Sequence, residues 1–224
     1  MAFAASPVPG TYTHNESTGN SVTVSGHTHT SGQTILAFVG SASFTAITSI
    51  AWGGTNLSQL ATASCGDVAV AIYGLDNATA TGVDMVFTYI TMSTTGQGQG
   101  ILTISGVADS IAGATTTACG GGSSNSSIDV TTATAESTVI DALQVSSGEE
   151  GTKQSGANQG EIRSDTGSGS TGPDGISYEW ATTTGAYTMN WTYSGPRSRG
   201  HAGVEILSGT DAAPAAAAVE PFIE

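Results

Sequence analysis

A chain of 224 residues with 18 acidic and only 4 basic side chains, formal net charge -14, repels phosphate backbones and anionic headgroups. That balance argues against direct nucleic-acid or membrane partners, and no stretch nears the roughly 20 apolar residues of a membrane-spanning helix. The length suits one large all-β domain as well as two small ones. No basic segment followed by an apolar one opens the chain, so a signal peptide of the usual kind is not expected. Leu, Ile, Val and Phe are sparse, but they gather at strand spacing, which favours a fold over disorder.

Residues 1–20, with Pro7, Pro9 and Gly10, lack periodicity and are expected to form an extended N-terminal arm. Alternation of apolar and polar residues then predicts strands over 21–24, 34–39, 47–52, 56–61, 68–75, 84–91 and 100–107. Gly53-Gly54 signals a compact hairpin, because glycine reaches positive φ without strain. Residues 108–127, centred on Cys119-Gly120-Gly121-Gly122, break the pattern. Strands resume at 128–130 and 138–145, and a charged, glycine-rich stretch over 148–175 predicts an exposed loop or ragged hairpin. Strands over 176–181, 186–193 and 201–207 close the domain. In 186–193, Tyr187, Met189, Trp191 and Tyr193 face one way, and Ala186, Thr188, Asn190 and Thr192 the other. An Ala- and Pro-rich tail over 209–224 ends in the apolar hook Phe222-Ile223, a candidate docking element. About a dozen short strands separated by turn signals predict an antiparallel β-sandwich or barrel spanning 21–208 as one domain.

The candidate sites are weak. His27-Thr28-His29 places two imidazoles on one face of an extended segment, but no acid follows closely and nothing specifies His14 or His201 as a third ligand. Turn histidines facing solvent are the expected reading, and no metal or cofactor is assigned. Asp165-Thr166-Gly167 matches the aspartic-protease tripeptide, yet lies among Ser, Gly and Arg163 with no second copy. Glu149, Glu150, Glu161, Asp165 and Asp174 sit in a loop-like stretch without the dense spacing of a Ca²⁺ site or a glycosidase pair. Glu179, between Tyr178 and Trp180, is the acid best placed for a sugar-binding or sugar-cleaving role. Trp52, Trp180, Trp191, Tyr187 and Tyr193 suit carbohydrate stacking, although a chain this poor in aromatics needs them for its core. Cys65 and Cys119 are compatible with a disulfide or with two free thiols. No serine lies in a nucleophile elbow and no glycine loop is built to cradle phosphate.

The order of segments from 47-ITSIAWGGTNL-57 through 70-VAIYGLDN-77 and 101-ILTISGV-107 to 187-YTMNWT-192 and Val204-Glu205-Ile206 resembles a family of jelly-roll virion proteins from tailed bacteriophages. The resemblance spans about residues 20–208 and implies a lectin-like β-sandwich of jelly-roll type with extended terminal arms. It further implies a non-enzymatic capsid decoration (cement) protein on the virion surface, a homotrimer docked on the major capsid protein or other virion subunits. No catalytic residue carries over. The alternative is a carbohydrate-binding module or receptor-binding spike that holds glycans through Trp180 and Glu179.

Overall fold

The computed structural model describes residues 8–17, 19–41, 47–66, 68–90, 97–146, 151–153, 159–164 and 172–209. Every regular element among them is a strand. In chain order these are β1 (Val8–Ser17), β2 (Ser21–Val24), β3 (Gln33–Ser41), β4 (Ile47–Trp52), β5 (Thr55–Asn56), β6 (Ser58–Cys65), β7 (Val68–Ala78) and β8 (Met85–Tyr89). There follow β9 (Gln97–Ser105), β10 (Val107–Thr132), β11 (Ser137–Val145), β12 (Gly151–Lys153), β13 (Gln159–Ser164), β14 (Gly175–Ala181) and β15 (Gly185–Ser208).

Three antiparallel sheets result. A central sheet runs β1-β9-β3-β7-β6, and a smaller cap sheet runs β2-β8-β4-β5. A far sheet runs β10-β15-β11-β14-β13, with β12 also paired to β15. Strand alternation explains the stacking. Ile35, Ala37 and Val39 point from β3 toward Ile50, Trp52, Met85 and Phe87 of the cap, while Leu36 and Phe38 point oppositely onto Ile140, Ala142, Val204 and Ile206 of the far sheet. The central sheet is therefore buried on both faces, and β3 reads as a nearly continuous apolar run.

A fourth layer comes from the longest pair. At roughly 3.3 Å per residue a straight strand of 26 residues, the length of β10, would run about 85 Å, far beyond a domain of this size. The β10–β15 ribbon bends instead where its register slips, between Gly120 and Asn125 on one strand and Thr192 and Arg199 on the other. Its distal half then lies back over the far sheet, so that Ile128, Val130 and Met189 pack on Val139. Two glycines admit this approach. A Cβ on Gly203 would stand 2.7 Å from Ile128 Cδ1, and one on Gly175 would stand 2.6 Å from the Trp191 ring.

The all-β antiparallel sandwich is as expected, with more layers than two. No strand of β1–β9 pairs with one of β10–β15, so the strand order lends no support to the jelly-roll refinement. Residues 8–17, expected within a free arm, form β1 and pair with β9, Val8 opposite Ser105 and Ser17 opposite Gln97. Residues 108–127, expected as an interruption, belong to β10, and the strands expected at 186–193 and 201–207 are one, β15. Part of 148–175 forms β12 and β13. The end of β15 returns to the start of β10, Ser208 opposite Val107, with Gly209 N–H donating to the Gly106 carbonyl at 2.8 Å. Cys65 at the end of β6 and Cys119 on β10 form a disulfide, Cα to Cα 5.4 Å, tying the edge of the central sheet to the far sheet.

Candidate functional site

A lone acid inside an apolar strand must find partners or destabilise the fold, and β11 carries one in Val139-Ile140-Asp141-Ala142-Leu143. Asp141 points away from the central sheet, toward the folded-back ribbon, and is fully buried. Its Oδ1 accepts from the Ser177 N–H at 2.9 Å and the Ser177 hydroxyl at 2.6 Å. Its Oδ2 accepts from Trp191 Nε1 at 2.6 Å and lies 2.7 Å from His201 Nε2. The other ring nitrogen, Nδ1, lies 2.9 Å from Ser126 Oγ. Because a carboxylate only accepts, Nε2 carries hydrogen toward Asp141, and in the neutral ring Nδ1 accepts from Ser126.

A serine, a histidine and an aspartate in hydrogen-bonded series are the components of a nucleophilic triad. Two features set this one apart. The ring nitrogens are exchanged relative to serine hydrolases, where the hydroxyl meets Nε2 and the carboxylate Nδ1. Ser126, His201 and Asp141 are also sealed, at 1%, 0% and 0% exposure, beneath the ribbon. A substrate has no approach to Oγ in this arrangement. What the series does is join β11, β14 and both halves of the ribbon through one carboxylate.

Glu205 does the same for the turn between β10 and β11. It is fully buried in Val204-Glu205-Ile206 and accepts from the N–H groups of Ala114, Ala133 and Thr134 and from the hydroxyls of Thr134 and Ser137, at 2.9 to 3.2 Å. Burial pushes its pKa up, but the hydrogen bonds from Ala114, Ala133 and Thr134 outweigh burial and hold it below the ordinary carboxylate value. Asp174, expected in an exposed loop, is buried as well and accepts from the Val145 N–H and Gln144 Nε2.

Glu179 and Trp180 do not form one site. They are neighbours on β14, so the pleat sends them to opposite faces. Trp180 is 47% exposed, which corrects its reading as core, while Trp52 and Trp191 are buried as expected. Glu179 is half-buried on the ribbon side, and burial raises its pKa. Glu161 is exposed on β13. Phe222 and Ile223, Asp165-Thr166-Gly167, and Glu149 and Glu150 lie outside the described residues.

The histidine pair departs from expectation. His27 is buried and His29 half-buried, both edge-on to Trp52 with centroids 6.0 and 5.6 Å away. Thr13 Oγ1 meets His27 Nδ1 at 2.8 Å, and burial, then the charge of His29, lower the His27 pKa. The solvent-facing reading is thus overturned. Among the described residues no three metal-ligating side chains converge. The sequence signal for Asp141 and Glu205 was available, a single acid within a buried strand; nothing local pointed to Ser126.

A separate recess is bordered, among the described residues, by side chains of β3, β4, β6, β7, β8 and β9. No helix among the described residues is long and apolar enough to cross a membrane. No protein-family model, curated protein or solved structure matches the chain.

Proposed function

We propose that the chain is a non-enzymatic structural protein of a virion surface, a decoration protein on the shell of a tailed bacteriophage. The observation that carries this reading is the use made of its reactive side chains. Asp141, His201, Ser126, Glu205 and Asp174 all lie inside the layers, where they hold strands together and present nothing to solvent. A stiff stack with a disulfide across it suits a part that must persist rather than turn over. The surplus of negative charge keeps particles apart. Repetition on a symmetric shell lets small contacts to the major capsid protein add up, and a homotrimer is the assembly that suits threefold positions.

The test is addition of the purified chain to phage shells that lack it, followed by imaging. Saturable, symmetric density is expected, with a trimer by light scattering. Removal of residues 212–224, which carry Phe222 and Ile223, should abolish attachment without altering the circular dichroism spectrum. Full decoration by the truncated chain would overturn the role of the tail, and failure of the intact chain to decorate any shell would overturn the function.

A further inference from the structure

The sealed series Ser126–His201–Asp141 is closed to an outside substrate, but not to the backbone it is part of. A serine hydroxyl and the carbonyl carbon of the preceding residue can close a five-membered ring, so attack there needs no diffusing partner. For Ser126 that carbonyl belongs to Asn125, the residue at which the β10–β15 pairing resumes after its register slip.

The groups that acyl transfer requires converge on this one peptide bond. The nucleophile is Ser126 Oγ, which donates to His201 Nδ1 at 2.9 Å. That nitrogen is the base, kept bare because Nε2 directs its hydrogen to Asp141 at 2.7 Å. A donor to the developing oxyanion is present as well: the Tyr193 hydroxyl donates to the Asn125 carbonyl oxygen at 3.1 Å. Burial raises the Tyr193 pKa, and the nearby Arg199, which hydrogen-bonds the phenol, offsets part of that rise. The group is therefore a neutral O–H with a positive charge beside it, which favours negative charge on the carbonyl oxygen it holds.

We propose that the chain cleaves its own Asn125–Ser126 peptide bond. Ser126 Oγ attacks the Asn125 carbonyl carbon, forming a C–O bond, and the hydroxyl proton passes to His201 Nδ1. The C–N bond then breaks, and His201 returns the proton to the departing Ser126 nitrogen. An ester now joins Asn125 to the Ser126 side chain, beside a new α-amino group. Asn125 is exposed, which admits water to hydrolyse the ester to an Asn125 carboxylate and the Ser126 hydroxyl. This is a single self-cleavage rather than turnover, and it is independent of attachment to a shell. Residues 107–125 remain paired with β15 across the cut, so the pieces stay together until the protein is denatured. The Cys65–Cys119 bond lies wholly within the first piece and does not join it to the second.

The experiment is incubation of the purified full-length chain at neutral pH over days, followed by denaturing electrophoresis and mass spectrometry. Two pieces are expected, residues 1–125 and 126–224, with Ser126 as the new N-terminus. Hydroxylamine, which attacks esters, should accelerate cleavage at the same bond, and the chain has no Asn-Gly pair for the reagent to cut instead. Ser126→Ala should abolish cleavage, and Ser126→Cys should retain it through a thioester. Because these two variants differ little in size, a contrast between them is not a failure to fold. Tyr193→Phe should slow cleavage about a hundredfold, as loss of an oxyanion donor does. Ser127→Ala, on the exposed face of the same strand, should leave it unchanged. A chain that stays intact both with and without hydroxylamine would overturn the proposal. So would cleavage at another bond, or cleavage that survives Ser126→Ala.

Discussion

The half of the chain before Gly106 and the half after it bury their sheets by different means. In the first, the central and cap sheets meet through Ile35, Ile50, Trp52, Met85, Phe87 and Ile101, an apolar interface. In the second, the far sheet and the folded-back ribbon meet through two small apolar clusters, with Asp141 and its partners set between them. The β10 strand of the ribbon is made largely of Gly, Ala, Ser and Thr and brings little apolar area to that contact. Directional hydrogen bonds to fully enclosed carboxylates supply the register there that side-chain bulk supplies in the first half. Hydrophobic packing tolerates small changes of shape, whereas a buried charge that loses a partner is left uncompensated.

The contrast can be broken by mutation. Asp141→Ala should cost roughly 5 kcal/mol in urea unfolding, at the upper end for a broken buried pair, because His201, Trp191 and Ser177 lose one common acceptor. Replacement of Cys65 and Cys119 by serine opens a crosslink between residues 54 apart and should cost about 4 kcal/mol. Gly203→Val should cost about 3 kcal/mol and detach the ribbon, seen as exposure of Trp191 fluorescence to a quencher, since the new methyls fall on Ile128 and Val130. Ile35→Val in the first half should cost only about 1 kcal/mol. If Asp141→Ala proves as mild as Ile35→Val, the two halves do not differ in the way described.

The smallest effect sharpens the comparison through pH. The folded pKa of Glu205 is held below its ordinary value of 4.5, so its contribution is complete above that value and is lost as acid carries the pH down through the folded pKa. Hydrogen exchange at the Ala133 and Thr134 amides, corrected for intrinsic rate, should accelerate on acidification below pH 4.5. Glu205→Gln should remove that pH dependence. The Leu36 amide of the central sheet should show no such response.

Strand 47–52 was legible to the residue because its apolar positions alternate and Gly53-Gly54 closes it. β10 was not, since Thr115–Thr117 carry no alternation and owe their extended form to pairing with β15, and Gly120–Gly122 lie where the register slips. The same holds for β1, an edge strand whose Pro9 and Gly10 read as arm until β9 lies beside it. Glu179 and Trp180 were picked for their side-chain types, although strand period already assigns them to opposite faces. The Cys65–Cys119 bond could not be read along the chain, because it depends on how two sheets stack. The recess was equally hidden, because the described residues that border it come from six strands.

The pairings of Val8 with Ser105 and of Ser208 with Val107 bring the first and last strands to a single corner, on either side of Gly106. Cargo fused before Val8 or after Gly209 would therefore leave from one pole of the molecule, and a tether at either end would orient it alike.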